Sequence, residues 1–505
     1  MKKLGTIFLF LLGVLTVQAQ EDIMRSYAAD IDQVEMKEIL TILASDALEG
    51  RETGKRGQKM AAAFIADYFE QLGLQAVVPT ENGMSYYQKF ELESSQPGNT
   101  YLKANNTTFS NGKEILYFGT ANMSAPSSLQ SVFVGKGTDE DFASVKTDGK
   151  LVILDGVGGF FQQWKELIDK GYKNGASQVV IIAKETDKDF NAIVKQYGNF
   201  FMHSRLGFKK DESSVNNGSF IVGPTTAAAL LNTSDEKIVK AISASTLSKF
   251  KGTTVEYVTS RKVNMVGTEN VLGFLEGTDK KEEIVVVTAH YDHIGKNGEQ
   301  INNGADDDGS GTTSVLKLAK AFAKAKDEGH GPRRSILFMT VTGEEKGLLG
   351  SEYYVNNPVF PLDQTVVDLN IDMIGRTDEA HEHDREFVYL VGSDKLSTEL
   401  HELSEKANST FTNLSIDYTY NDQNHPDRIY YRSDHWNFAK NNIPVIFYFN
   451  GTHDDYHQPT DTVDKIEFDL LQKRAQLVFY TAWVVSNRDE RLVVDKPVNE
   501  NVENK

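Results

Sequence analysis

The 505-residue chain contains no cysteine. Disulfide bonds and thiolate metal sites are therefore excluded, so any bound metal ion must be held by histidine and carboxylate side chains. Basic residues are also scarce, because 53 lysines and arginines stand against 72 aspartates and glutamates, a formal net charge of −19. This balance argues against a nucleic-acid-binding protein, which normally carries a basic face.

Long apolar runs are absent from the chain beyond its first residues. Residues 1–19 have the pattern of a secretory signal peptide, with a charged start, an apolar run at 7–15 and a small-residue cleavage site at 17–19. The alternative is a membrane anchor, but the run is short for a bilayer and polar residues follow it at once. The sequence therefore predicts a secreted or periplasmic protein without a membrane span after cleavage.

The length of the chain favours two or more domains. Residues 20–95 and 255–488 predict one α/β domain, because helical and strand patterns alternate as in a mixed, largely parallel sheet with helices on both faces. The intervening segment 96–254 predicts an inserted β-rich domain with one helix near 160–176 and no dense cluster of histidines and carboxylates. The tail at 489–505 is polar.

Two apolar stretches, 284–295 and 335–345, predict buried strands that end in polar residues. Open α/β sheets place their sites at the carboxyl ends of strands. The two strand ends and the acidic loop 302–311 between them supply His290, Asp292, Asp306, Asp307, Asp308, Glu344 and Glu345. Carboxylates crowded in one crevice resist ionisation unless a cation neutralises them, and a pair of divalent metal ions is the simplest explanation.

Local geometry indicates which chemical roles some of these side chains can have. His290 and Asp292 lie two residues apart on extended chain and share a face, so the carboxylate can hold the second imidazole nitrogen. Strand geometry sends Glu344 and Glu345 to different sides, which suits one as a ligand and the other as a general base. Asp372 is a lone acid in an apolar strand, where an unpaired carboxylate is costly, so a ligand role is preferred.

Each pattern also has an ordinary structural explanation. A His-x-Asp pair is usually a satisfied surface histidine, and an acidic loop often only caps a helix. A cap needs a single carboxylate, however, whereas the loop 304–311 carries three between glycines. The later loop 453–462 adds His453, Tyr456 and His457 after another predicted strand. Four such clusters after strand ends favour a metal site.

Six motifs carry a resemblance to a known family. AHYDHIG, GADDDGSG, TGEEKGLLGS, NIDMIG, RSDHWNF and HDDYHQPTDT occur in this order across most of 255–487. In these motifs the chain resembles peptidase family 28, the co-catalytic di-zinc exopeptidases, and residues 39–72 are similar to the family's N-terminal stretch. The resemblance implies a zinc exopeptidase fold with two Zn²⁺ ions per chain. The inserted segment resembles a protease-associated domain in its runs at 134–137, 149–156 and 175–184.

The resemblance implies a ligand set for the two zinc ions. His290 and Asp372 match the terminal ligands of one ion. Glu345 and His457 match the terminal ligands of the other. Asp307, the middle acid of the triplet, matches the bridging ligand.

Further roles follow from the same resemblance. Asp292 matches the residue that orients His290, and Glu344 matches the general base. Tyr456 and Arg432 match positions that contact the substrate or the developing oxyanion in some relatives.

The preferred interpretation is an exported zinc aminopeptidase acting on peptides, with Glu344 as proton carrier. A carboxypeptidase needs a cation for the terminal carboxylate, for which Arg432 is the motif-linked candidate, and a dipeptidase of the same fold is a further alternative. A glutaminyl cyclase is disfavoured, since relatives of that type use one zinc ion and usually lack the acidic triplet. The complete ligand set beside Glu344 disfavours a non-catalytic binding protein. The preferred residue, the resident metal and the oligomeric state stay open.

Overall fold

The computed structural model of the protein describes residues 20–209, 218–244, 250–422 and 424–496. The predicted signal segment and most of the polar tail lie outside these residues. The described chain divides into two compact units, of which one is Leu92–Val266 and the other comprises the residues on either side of it. The predicted insertion at 96–254 lies inside the first unit. Within the described ranges, no helix is both long and apolar enough to cross a membrane.

The strands are as follows: β1 (Val78–Thr80), β2 (Gly83–Ser85), β3 (Tyr87–Pro97), β4 (Tyr101–Ala104), β5 (Thr107–Ser110), β6 (Ile115–Phe118), β7 (Ser127–Phe133), β8 (Leu151–Asp155), β9 (Gln178–Ile182), β10 (Arg205–Gly207), β11 (Ser219–Val222), β12 (Thr254–Val258), β13 (Arg261–Leu275), β14 (Lys280–His290), β15 (Lys296–Asn297), β16 (Gln300–Ile301), β17 (Arg334–Val341), β18 (Thr365–Ile371), β19 (Phe387–Val391), β20 (Ser415–Asp417) and β21 (Val445–Phe449).

The α-helices from Gln33 onward are as follows: α1 (Gln33–Leu43), α2 (Arg56–Gln71), α3 (Asp139–Ser144), α4 (Phe161–Lys173), α5 (Asp187–Met202), α6 (Pro224–Leu230), α7 (Asp235–Ser243), α8 (Gly311–Asp327), α9 (Leu349–Asn356), α10 (Thr398–Ala407), α11 (His435–Ala439) and α12 (Phe468–Asn487).

The unit that contains the residues before Leu92 and after Val266 is built on a mixed sheet. Its strand order is β3-β13-β17-β14-β18-β21-β19-β20. The four central strands β17, β14, β18 and β21 run parallel to one another. β13 and β19 are antiparallel to their central neighbours. The predicted mixed, largely parallel sheet is therefore confirmed.

Helices cover both faces of this sheet. Along β14, Val285 and Val287 belong to the core shared with α1, α2, α8, α10 and α12. Ile284 and Val286 belong to the core on the opposite face, with α9 and α11. Because both faces of the strand are buried, its sequence is a continuous apolar run rather than an alternating one. The charged and imidazole side chains of β14 are consequently confined to its two ends.

The unit Leu92–Val266 contains an eight-stranded sheet with the order β5-β4-β12-β7-β8-β9-β11-β6. The expectation of one helix in this segment was wrong, since α3, α5, α6 and α7 accompany α4. The reason is topological: β7, β8, β9 and β11 are parallel, and parallel neighbours need crossover connections, which are usually helices. A protease-associated domain remains a prediction for this unit.

Candidate metal centre and catalytic pocket

The predicted metal ligands lie just beyond the carboxyl ends of the four central parallel strands. His290 is the last residue of β14, and Asp372 follows β18 directly. Asp307 lies in the loop before α8, Glu345 lies in a turn after β17, and His457 lies in the loop after β21. Because parallel strands end at one edge of the sheet, these five residues converge although 167 positions separate the first from the last.

The acidic triplet divides its carboxylates between structure and chemistry. Asp306 accepts a hydrogen bond from the backbone N–H of Gly375 (2.7 Å), and Asp308 accepts from those of Gly311 (2.9 Å) and Met373 (3.1 Å). The outer two aspartates thus tie the loop to α8 and to the end of β18. Only the middle carboxylate, Asp307, faces the imidazoles described next.

A first group of donors comprises His290, Asp307 and Asp372, with one donor atom of each within 4.8 Å of the others. His290 Nε2 lies 3.2 Å from Asp307 Oδ1 and 3.6 Å from Asp372 Oδ1. The other oxygen of Asp372 accepts a hydrogen bond from Ser433 Oγ at 2.6 Å. Ser433, which sequence reasoning did not select, therefore orients one of the predicted ligands.

Asp292 contacts His290 differently from the expectation. His290 Nδ1 donates to the backbone carbonyl of Asp292 at 3.0 Å, whereas the carboxylate oxygen lies 3.8 Å away. The carboxylate instead accepts from Thr53 Oγ1 (2.7 Å) and from the backbone N–H of Glu344 (3.3 Å). Asp292 thus holds the imidazole through its backbone and holds Glu344 through its side chain.

A second group of donors surrounds the other oxygen of Asp307. His457 Nε2 lies 3.1 Å from Asp307 Oδ2 and 3.0 Å from Glu345 Oε2. His293 Nδ1 lies 2.7 Å from Glu345 Oε1 and 3.8 Å from Asp307 Oδ2. Sequence reasoning missed His293. Its signal was the second histidine of AHYDHIG, three residues after His290.

The two groups fit divalent metal ions. Five of their donor atoms are buried and make no hydrogen bond to any residue that the structure describes: His290 Nε2, His293 Nδ1, Asp307 Oδ2, Glu345 Oε1 and His457 Nε2. Buried polar atoms without a partner are rare because each costs about 1–3 kcal/mol. Imidazole nitrogens combined with carboxylate oxygens are a donor set that Zn²⁺ prefers. The arrangement therefore fits zinc, with Asp307 between the two groups.

Glu344 and Glu345 lie in a single helical turn, Glu344–Lys346, which follows the left-handed residue Gly343 (φ 74°). The sequence analysis attributed the divergence of these two side chains to strand geometry. In the structure it comes from this turn instead. Burial raises the pKa of Glu344 well above its ordinary value; the His290 imidazole opposes this shift and Glu345 reinforces it. For Glu345, burial and Asp307 would raise the pKa, but the imidazoles of His293 and His457 outweigh them and lower it to about 2.

A pocket opens beside the ligands, and Glu344 lines it together with Asp307 and Asp372. The remaining wall is largely apolar and comprises Met373, Ile429, Arg432, Phe447, Phe449, Thr452 and Tyr456. Arg432 Nη2 donates to Tyr456 Oη at 3.3 Å, and the tyrosine ring stacks on His457 with 3.9 Å between centroids. Burial, followed by the charges of Asp307 and Glu345, raises the pKa of Tyr456. Its hydroxyl therefore keeps its proton as a donor.

Sequence comparison tests the predicted resemblance to a known family. Residues 270–482 match the model of peptidase family M28, and this stretch contains both donor groups. This match confirms the predicted resemblance to the family.

Individual relatives agree with this assignment. Aminopeptidase YwaD of Bacillus subtilis is 24% identical over 516 residues, covering 97% of this chain and 96% of that protein. A probable leucine aminopeptidase of Arthroderma otae is 31% identical over 207 residues, covering 39% of this chain, and the match spans about half (53%) of the fungal protein. The structure of an aminopeptidase from Aneurinibacillus sp. strain AM-1 aligns with a TM-score of 0.56 at 20% identity, covering 94% of this chain and 98% of that one. This likeness shows the shared fold.

Proposed function

We propose that the protein is a secreted or periplasmic zinc aminopeptidase that removes N-terminal residues from peptides. The observation that carries the proposal is the position of Glu344. This buried carboxylate lines the pocket next to two groups of metal-binding side chains, and its pKa is raised. Relatives named as aminopeptidases support the choice of reaction. Export is inferred only from the leader pattern of residues 1–19.

The chain would hold two Zn²⁺ ions. His290 and Asp372 would hold one ion, Glu345 and His457 the other, and Asp307 has one oxygen toward each group. When bound, zinc supplies Lewis acidity, which polarises a carbonyl group and lowers the pKa of a water molecule.

Glu344 would act as the general base and acid. It accepts a proton from the attacking water and delivers that proton to the leaving amine. The Asp292 carboxylate fixes the position of Glu344 by accepting a hydrogen bond from the backbone N–H of Glu344. Glu345 is less suited to this task, since both of its oxygens lie within 3.0 Å of an imidazole.

The pocket would bind the N-terminal residue of the substrate. Its wall of Met373, Ile429, Phe447 and Phe449 offers apolar contact to a side chain. Tyr456 keeps its proton and can donate a hydrogen bond to the oxygen on which negative charge develops. The apolar wall favours peptides that begin with an apolar residue.

One observation favours a second function. Arg432 is the cation that lines the described pocket, and its guanidinium contacts Tyr456. A guanidinium can bind a terminal carboxylate through paired hydrogen bonds, as a carboxypeptidase or dipeptidase requires.

The experiment is a comparison of matched apolar peptides with free or blocked ends. The purified protein is incubated with each peptide, with zinc or with a chelator, and mass spectrometry identifies the products. An aminopeptidase removes one N-terminal residue from peptides with a free amine only, and the chelator abolishes the reaction. Cleavage of N-blocked peptides from the carboxyl end would instead establish the carboxypeptidase. The Glu344→Gln variant serves as the control for a contaminating peptidase.

A further inference from the structure

His293 has no role in the ligand set assigned above, yet its environment is that of a ligand. The side chain is fully buried. Neither of its ring nitrogens makes a hydrogen bond within the described ranges of the chain. A buried imidazole without a partner loses its hydration and gains nothing in return. A bound ion would supply the missing partner.

The other donors of the second group surround this imidazole. Glu345 directs Oε1 toward His293 Nδ1 (2.7 Å) and Oε2 toward His457 Nε2 (3.0 Å). The two imidazole rings meet at 67°, with 5.7 Å between their centroids. Asp307 Oδ2 completes the group, at 3.8 Å from His293 Nδ1 and 3.1 Å from His457 Nε2. Four side chains from four different segments thus turn donor atoms toward one place.

A simple hydrogen bond between His293 and Glu345 does not explain the contact. The two atoms are close enough for one, but both Nδ1 and Oε1 lack hydrogen-bond geometry to any described residue. A hydrogen bond needs the N–H to point at the acceptor, and it weakens steeply when it does not. Two ligands of one ion instead direct their lone pairs at a common point between them. The close but misaligned pair has this second arrangement.

The surrounding chain holds the ring in this orientation. The backbone N–H of His293 donates to the carbonyl of Arg51 at 3.2 Å. Gly304 lies against the ring, and a Cβ atom at that position would be 2.6 Å from His293 Cγ. The buried guanidinium of Arg51 in turn donates to the carbonyls of Gly304 (2.8 Å) and Asn303 (2.6 Å). The N-terminal segment therefore fixes the backbone of His293 and the glycine that lies against its ring.

We propose that His293 is a fourth protein ligand of the metal ion held by Asp307, Glu345 and His457. The two metal positions then differ. The position at His290 and Asp372 has three protein donors and leaves room for water, as catalytic zinc sites do. The second position has four protein donors, like a closed site, and holds its ion more tightly. The inference rests on the metal centre of the proposed function but not on its substrate.

The first test counts imidazoles in the unaltered protein. Protein loaded with two zinc ions is examined by X-ray absorption at the zinc edge, where imidazole rings give characteristic outer-shell scattering. The expected count is three imidazoles shared by two ions, from His290, His293 and His457. A count of two overturns the proposal. The count does not depend on activity, so protein that binds three imidazoles but cleaves no peptide would refute the proposed function alone.

The second test uses the variants His293→Ala and His293→Asn. Loss of a direct ligand should weaken binding of one zinc ion by more than 100-fold in chelator competition and leave the other ion unchanged. It should also change the visible spectrum of one of two sequentially bound cobalt ions. A loss of 10–100-fold with unchanged cobalt spectra is typical of a residue that only orients a ligand, and would refute the proposal. Unchanged affinity would refute it as well.

The matched control is His381→Ala. His381 Nδ1 also lies 2.7 Å from a carboxylate oxygen, that of Asp378, but this pair forms a hydrogen bond. It lies outside both donor groups. Zinc affinity should be unchanged in this variant. Circular dichroism of the metal-free proteins checks folding. If His293→Ala does not fold, His293→Asn replaces it, because asparagine retains a polar atom near the position of Nδ1.

Discussion

The sharpest prediction concerns Glu344 and Glu345, which are chemically identical neighbours with different surroundings. Glu345 spans two imidazoles, at 2.7 Å from His293 and 3.0 Å from His457. Glu344 approaches His290 Nε2 only to 3.9 Å and lines the pocket instead. Replacing either glutamate by glutamine retains its size and removes its charge. The two variants therefore separate the loss of a proton acceptor from the loss of a ligand.

For Glu344→Gln, turnover should fall while metal content stays at the wild-type level. General acid–base groups contribute about 10²–10⁴-fold to rate. At about 1.4 kcal/mol for each factor of ten, this corresponds to roughly 3–6 kcal/mol in the activation barrier. The substrate-binding wall is untouched, so KM should change little. Glu344→Asp keeps a carboxylate on a shorter side chain and should have intermediate turnover.

For Glu345→Gln, one zinc ion should be bound more weakly, and added zinc should restore part of the activity. Two measurements are made on each variant. The first is kcat and KM on a peptide with a free N-terminus, and the second is the zinc content of the desalted protein by mass spectrometry. If Glu344→Gln loses an ion and Glu345→Gln keeps both, the two roles are reversed. A Glu344→Gln enzyme with near-normal turnover would remove the general-base mechanism.

Three further predictions concern the support of the site. First, although burial favours the neutral form, Asp307 and Glu345 raise the pKa of His457 to about 10. In metal-free protein, the stabilisation that the protonated His457 provides should be complete below about pH 6.5 and be lost as pH rises through 10. Zinc binding at pH 8 should therefore release protons, which calorimetry in buffers of different ionisation enthalpy can measure. Absence of proton release would contradict this prediction. Second, Ser433→Ala removes the hydrogen bond to Asp372 and should weaken zinc binding by about 10–100-fold in chelator competition, with wild-type affinity as the contrary result. Third, Arg51→Met leaves at least three backbone carbonyls without a hydrogen-bond donor. The free energy of unfolding, measured by denaturant titration, should therefore fall by about 3 kcal/mol or more. A change below about 1 kcal/mol would show that the guanidinium does not hold these segments together.

The sequence alone predicted the sheet and the types of residue at its edge. Residues 284–289 of β14 form a short run that is apolar except for Thr288, and β18 has apolar residues at 366, 367, 369 and 371; both strands are buried on both faces. His290 and Asp372 follow those runs immediately, so their place at the carboxyl edge needed no tertiary information. Resemblance to a known family then assigned a role to each residue, and the structure brings the five predicted ligands together.

Tertiary structure alone decided which atoms meet. In the sequence, His293 looks like any histidine near an aspartate, and its burial depends on Arg51 and Gly304. Likewise, the Asp292 carboxylate accepts from Thr53 and from the Glu344 N–H, whereas His290 donates to the backbone carbonyl of Asp292. The residue types and their periodicity are local properties that can be read along the chain. Hydrogen-bond partners and burial are set by segments that are remote in sequence, so they appear only when the chain is folded.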